Sequence, residues 1–291
     1  MTRATRPAHA RPSTDMRRAR HAPLGRCMYC LAAGGPGIVL TEEHLVPRAL
    51  GGRQTLRDAV CEPCRRLTGR LEQLALDREF AVPRTLLALK RRRARAKGPG
   101  RLPPVALEGA AGTLVTLPVD AFPRTFALPA FERAGLLADV DRAATPRRVD
   151  FVACTLALGP VARHTVAAPP PLPDPVAYAH AIAKWAYALA VAELGLDCCD
   201  TRPMRDLMLG RRADIFAFVG TAPGRLPAGR DWLHDVAFHE RAGWLVATLA
   251  LFASAGMAPY EVVIGPAIGC SPVAPPTGSG ATPPTWRRAG P

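Results

Sequence analysis

A chain of 291 residues with 48% hydrophobic residues can bury a core, as one large domain or two small ones. Its net charge is +14, and two segments account for the excess: residues 1–26 carry seven Arg and one Asp, and residues 84–101 carry six Arg, two Lys and no acid. No run reaches the ~18 apolar residues of a membrane span, and the Arg-rich N-terminus lacks the apolar stretch of a secretory signal, so the expected compartment is the cytoplasm and no membrane partner is expected. The basic segments point to a polyanion, most simply nucleic acid. The competing explanation is compositional, because 35 Arg against 3 Lys and no Asn is the mark of a coding bias.

Residues 1–25 read as a disordered basic arm. Residues 26–82 read as a compact unit around four cysteines. Within it "GIVLTEEH" reads as a strand ending near His44, with Ile38 and Leu40 on one face. "LVPRALGG" turns the chain, Pro47 stiffening it and Gly51-Gly52 permitting a reversal. "TLRDAVC" returns as a second strand, and a helix starts at Glu62, with Pro63 in its first turn and Leu67, Leu71 and Leu74 on one face. Residues 83–104 read as a basic helix end running into a Gly/Pro linker.

Residues 105–270 read as a second, α+β domain. A hairpin is expected around Gly109–Gly112. The clearest helix is 174–195: Asp174 caps it, Pro175 suits its first position and Gly195 ends it. Ile182, Trp185, Ala186, Leu189 and Ala190 share a face at helical spacing, so Trp185 and Tyr187 read as packing residues. A shorter helix is expected over 201–210. Two strands follow, joined by a turn containing Gly243, and then a third at 260–266. The apolar run 244–257 reads as a buried strand. His234 and His239 lie on opposite faces of their strand, which argues against a shared metal. Residues 271–291 form a Pro/Gly/Ser/Thr-rich tail with no means to pack.

Cys27-Met-Tyr-Cys30 and Cys61-Glu-Pro-Cys64 each present two thiols from one tight turn. Together they supply the closed tetrahedral shell of a structural Zn²⁺; a redox pair or coincidence are the alternatives. The remaining cysteines, 154, 198, 199 and 270, show no pairing pattern.

The combination "C-x-x-C … T-E-E-H-L-V-P-R-A-L-G-G … T-L-x-D-A-V-C-x-x-C" resembles the HNH endonuclease family, in its bacterial branch with a four-cysteine zinc frame. The matching motifs cover about residues 26–75. "KWAYALAVAELGL" and the strand pair ending "LALFA…YEVVIG" resemble the region often attached to that branch. The resemblance implies an α+β fold: a small zinc-braced ββα-metal unit followed by a mixed domain of helices and antiparallel strands. It implies a hydrolase acting on DNA phosphodiesters, with His44 as general base, Glu43 as ligand to a catalytic Mg²⁺ or other divalent cation, and Asp58 orienting His44 or adding a ligand. The chemistry suits those residue types, since an imidazole takes a proton from water near neutral pH and a carboxylate suits a hard cation. Arg48, Arg65, Arg66, Lys90, Arg91, Arg92 and Arg93 are the expected nucleic-acid contacts.

One position departs from that pattern. The family places Asn or His directly after the last cysteine, to complete the cation site, and this chain has Arg65 there. A guanidinium has no acceptor and cannot ligate Mg²⁺. Two readings follow: an active endonuclease in which Asp58 supplies the missing oxygen, or a decayed nuclease that keeps its zinc and binds nucleic acid without cutting it. A third makes the chain a zinc-stabilised interaction protein with no nucleic-acid role.

Overall fold

The computed structural model describes residues 20–89, 102, 104–106, 114–119, 121–122, 125–140, 146, 148–155, 174–224 and 233–267. The expected arm up to residue 19, the contacts expected at Lys90, Arg91, Arg92 and Arg93, and the tail at 271–291 lie outside the described residues.

The N-terminal unit is a three-stranded sheet in the order β1-β3-β2, backed by a helix. β2 (Leu40–His44) and β3 (Thr55–Cys61) are antiparallel, with Leu40 opposite Cys61 at one end and His44 opposite Thr55 at the other. Between Thr41 and Glu43 the register shifts, and β3 bulges outward at Arg57 and Asp58, which is held at φ 48°. β1 (Arg20–His21) pairs parallel with β3, inside the segment expected to be an arm. Ile38 and Val39 lie before β2 and are exposed, so the first strand is shorter than its sequence suggests.

The reversal between β2 and β3 is a 3₁₀ turn at Arg48–Leu50, closed by Gly51 at φ 87°. Gly52 is fixed by close approach rather than by torsion. A Cβ there would lie 1.9 Å from the Val46 carbonyl oxygen, so no larger residue fits.

α1 (Glu62–Asp77) starts at Cys61, with Pro63 in its first turn as expected. Its buried residues are Cys64, Thr68, Ala75 and Leu76, not the leucine stripe. Leu67 is exposed, and Leu71 and Leu74 are half-buried. The helix packs against the long helix at Pro175–Leu194. α2 (Ala81–Leu86) follows, and Arg84 turns inward to donate to the Leu76 carbonyl at 2.8 Å. One residue of the basic run is therefore a buried structural group.

α4 (Pro175–Leu194) is the axis of the molecule. Asp174 Oδ1 accepts from the Ala177 N–H at 2.9 Å, and Gly195 ends the helix. Its burial is almost complete from Ala177 to Val191 rather than confined to one stripe, because α1 covers one side and the C-terminal sheet the other. That sheet has the order β8-β11-β10-β9: β8 (Val219–Thr221), β9 (His234–Arg241), β10 (Trp244–Leu251) and β11 (Tyr260–Pro266). Ala242 and Gly243, both at positive φ, make the tight turn between β9 and β10. β10 stops at Leu251, where Phe252 takes φ 50° and leads into a 3₁₀ turn. Of the expected Gly109–Gly112 hairpin, the described residues show the paired ends, β4 (Val105–Ala106) and β5 (Leu114–Val115). β6 (Thr125–Phe131) and β7 (Val149–Thr155) form a further antiparallel pair. Three short helices complete the set: α3 (Gly135–Ala138), α5 (Arg202–Met208) and α6 (Ile215–Phe218).

The fold is α+β, as the sequence implies. One continuous apolar core runs from Met28 and Tyr29 through Tyr187 and Phe80 to Val262 and Ile264. No helix among the described residues is long and apolar enough to cross a membrane.

Candidate metal centre and the acid cluster beside it

Two clusters sit on the N-terminal unit. The first is sulfur. The Cys27–Cys30 turn is closed by the Leu31 N–H donating to the Cys27 carbonyl at 2.8 Å, with Leu31 at φ 66°. Cys61 ends β3, and Cys64 lies on the first turn of α1. The four sulfurs lie within 4.8 Å of one another, and Cys30 and Cys61 are 3.7 Å apart. A tetrahedral Zn²⁺ with Zn–S bonds of about 2.3 Å needs sulfurs roughly 3.8 Å apart. Cys27, Cys61 and Cys64 are buried, and Cys30 is exposed. The four cysteines are thus positioned to hold one metal ion, and their donor set fits zinc.

This knot is fastened to α4. The Tyr187 hydroxyl donates to the Met28 carbonyl at 2.7 Å, and the rings of Tyr29 and Tyr187 lie 5.9 Å apart. Both Trp185 and Tyr187 are packing residues, fully buried.

The second cluster is at the other end of the β2–β3 pair. Glu43 points inward from β2 and is 5% exposed. Its Oε1 lies 2.9 Å from Lys184 Nζ on α4, and Glu72 Oε2 on α1 lies 2.9 Å from the same Nζ. The other Glu72 oxygen accepts from Trp185 Nε1 at 2.6 Å. Burial alone would drive Lys184 toward its neutral form. Glu43 and then Glu72 outweigh it and hold the ammonium above its ordinary range.

His44, next along β2, faces outward and is half-buried. Burial, and then the charge of Arg48, lower its pKa below the usual range, so the imidazole is neutral at pH 7. Its Nδ1 is buried and has no hydrogen-bond partner among the described residues. Nε2 lies 3.9 Å from Glu42. Asp58 is exposed on the β3 bulge, across from Glu42 rather than beside His44.

Arg65 and Arg66 are exposed, and both grip Glu62. Arg65 reaches its two oxygens at 2.6 and 2.8 Å and Arg66 one at 2.7 Å, and these bonds draw the Glu62 carboxyl down to about 2. Arg65 also acts electrostatically on Glu43. Arg48 is exposed on the turn beyond His44.

Of the residues expected to hold a catalytic cation, Glu43 is already paired with Lys184. Among the described residues the four cysteines are the sole group of three or more His, Cys, Asp or Glu side chains placed to share an ion. Asp58 is exposed on the β3 bulge, and Arg65 offers no acceptor.

Sequence reasoning passed over Lys184 and Glu72, and weighed His234 only as a metal ligand. His234 Nε2 donates to the Leu50 carbonyl at 2.7 Å, and its Nδ1 accepts from the Phe252 N–H at 3.3 Å. This buried neutral imidazole ties the turn after His44 to the C-terminal sheet. The signal for Lys184 was available: a lone charge in an otherwise apolar helix must have a buried partner. Cys198 and Cys199, which show no pairing pattern in the sequence, have their sulfurs 3.9 Å apart.

No family model, no curated protein and no solved structure matches this chain.

Proposed function

We propose that the chain is an HNH-type nucleic-acid protein whose zinc-braced ββα unit engages the DNA backbone at His44. The reading that the geometry supports best is binding without divalent-metal hydrolysis. One observation carries it. Exposed Arg48 and Arg65 present guanidinium groups on this unit, Arg48 acting on His44 and Arg65 on Glu43, while Glu43, expected to hold a catalytic cation, is already paired with Lys184. Guanidinium groups suit phosphate oxygens, and a phosphate held by them needs no metal. Zinc in the four-cysteine cluster then serves as a brace that fixes the positions of β2, β3 and α1.

The endonuclease reading rests on a different observation. His44 is neutral at pH 7 and reachable from solvent, as a general base must be. One experiment separates the two. Zinc-loaded protein is incubated with supercoiled plasmid in Mg²⁺, Mn²⁺ or EDTA, beside His44→Ala, and duplex binding is followed by fluorescence anisotropy at rising salt. Salt-sensitive binding with no nicking supports the binding module. Metal-dependent nicking lost in His44→Ala supports the endonuclease. Affinity that does not change with salt refutes a phosphate contact altogether.

A further inference from the structure

We propose that the Lys184 ammonium is a resident cation, occupying the place between Glu43 and Glu72 that a divalent ion would take, so that this unit binds no metal at its carboxylates. The two oxygens come from different elements, β2 and α1, and both lie 2.9 Å from one nitrogen on α4. The ammonium is 5% exposed and enters from the C-terminal part of the chain. Trp185, the next residue, holds the second Glu72 oxygen at 2.6 Å, so that carboxylate is fixed from two adjacent positions of one helix. Arg65 adds a second positive field on Glu43.

An entering divalent cation would have to displace Lys184. Its departure would leave buried Glu43 without the cation that lies 2.9 Å from its Oε1. Composition adds an independent point. The chain uses Arg 35 times and Lys 3 times, and Lys184 is the lysine outside the run 84–101. An ammonium meets the two carboxylates as a compact point charge with three rotatable donors.

The inference deepens the binding-module reading and takes its functional meaning from it, but its test involves no DNA. Zinc-loaded full-length protein is titrated with Mn²⁺, for which thiolates compete poorly, and free Mn²⁺ is followed by electron paramagnetic resonance. The wild type is expected to take up none. Lys184→Met, with two facing carboxylates and no cation, is expected to take up one equivalent, and Lys184→Met/Glu72→Gln is expected to lose it. A wild type that binds one equivalent lost in Glu43→Gln overturns the proposal, as does a folded Lys184→Met that binds none. Should Lys184→Met not fold, the wild-type arm decides: no uptake upholds the resident cation and Glu43-dependent uptake refutes it. Failure of DNA binding alone would remove the nucleic-acid reading and leave the resident cation standing.

Discussion

The sulfur cluster and the carboxylate cluster lie at opposite ends of one strand pair, and each gathers groups that repel one another when ionised. Four thiols converge within 38 residues of chain, from Cys27 to Cys64, and can be neutralised by an ion from solution. Two carboxyl groups also converge, each 2.9 Å from one nitrogen, but they are neutralised by Lys184, a residue of a distant helix. The first end depends on metal supply. The second depends on the chain having folded around α4.

Breaking each end sharpens the contrast. Metal removal is expected to have the largest effect, since apparent binding energies of structural zinc are about 10–16 kcal/mol at neutral pH. A chelator, or Cys61→Ser, should abolish the cooperative thermal transition of the N-terminal unit, seen by circular dichroism. Lys184→Ala should come next. Leaving buried Glu43 and half-buried Glu72 without their cation costs about 3–5 kcal/mol, read as a lowered urea midpoint at unchanged zinc content. Gly52→Ala should cost about 1–3 kcal/mol through the clash with the Val46 carbonyl, and should disturb the turn that follows His44.

His234 gives a pH signature. Burial holds its folded pKa at about 4, below the ordinary 6.5. Below pH 6.5 the unfolded chain takes up a proton that the folded chain refuses. Its contribution is therefore complete above pH 6.5, is lost as pH falls toward 4, and levels off below, with a slope of up to about 1.4 kcal/mol per unit. Urea midpoints at pH 7 and pH 5 should differ more in the wild type than in His234→Gln. The smallest expected change is in Arg65→Ala, where melting should stay unaltered. If Arg65 meets a phosphate, the salt slope of DNA binding should fall by about one.

These two clusters also divide what was legible in the sequence. The cysteine pairs, the strand ending at His44 and the caps of α4 are local patterns, set by spacings of a few residues, and the structure forms each of them. Lys184, Glu72 and His234 acquire their partners only through tertiary contact. No spacing rule reports that Glu43 faces a lysine, because the pairing depends on how α4 lies across β2 and α1. The leucines of α1 show the same limit. Periodicity marks a stripe, but close packing against α4 buries Thr68 and Ala75 and leaves Leu67 on the surface.

The Tyr187–Met28 hydrogen bond joins residues 159 apart in sequence. At about 5–20 residues per second, a ribosome needs roughly 8–32 s to make the chain between them. Through that interval the N-terminal unit is already made but lacks the helix that covers Tyr29 and α1. Zinc capture at the four cysteines, which needs only the first 64 residues, can come first and hold the nascent unit together until its partner helix arrives.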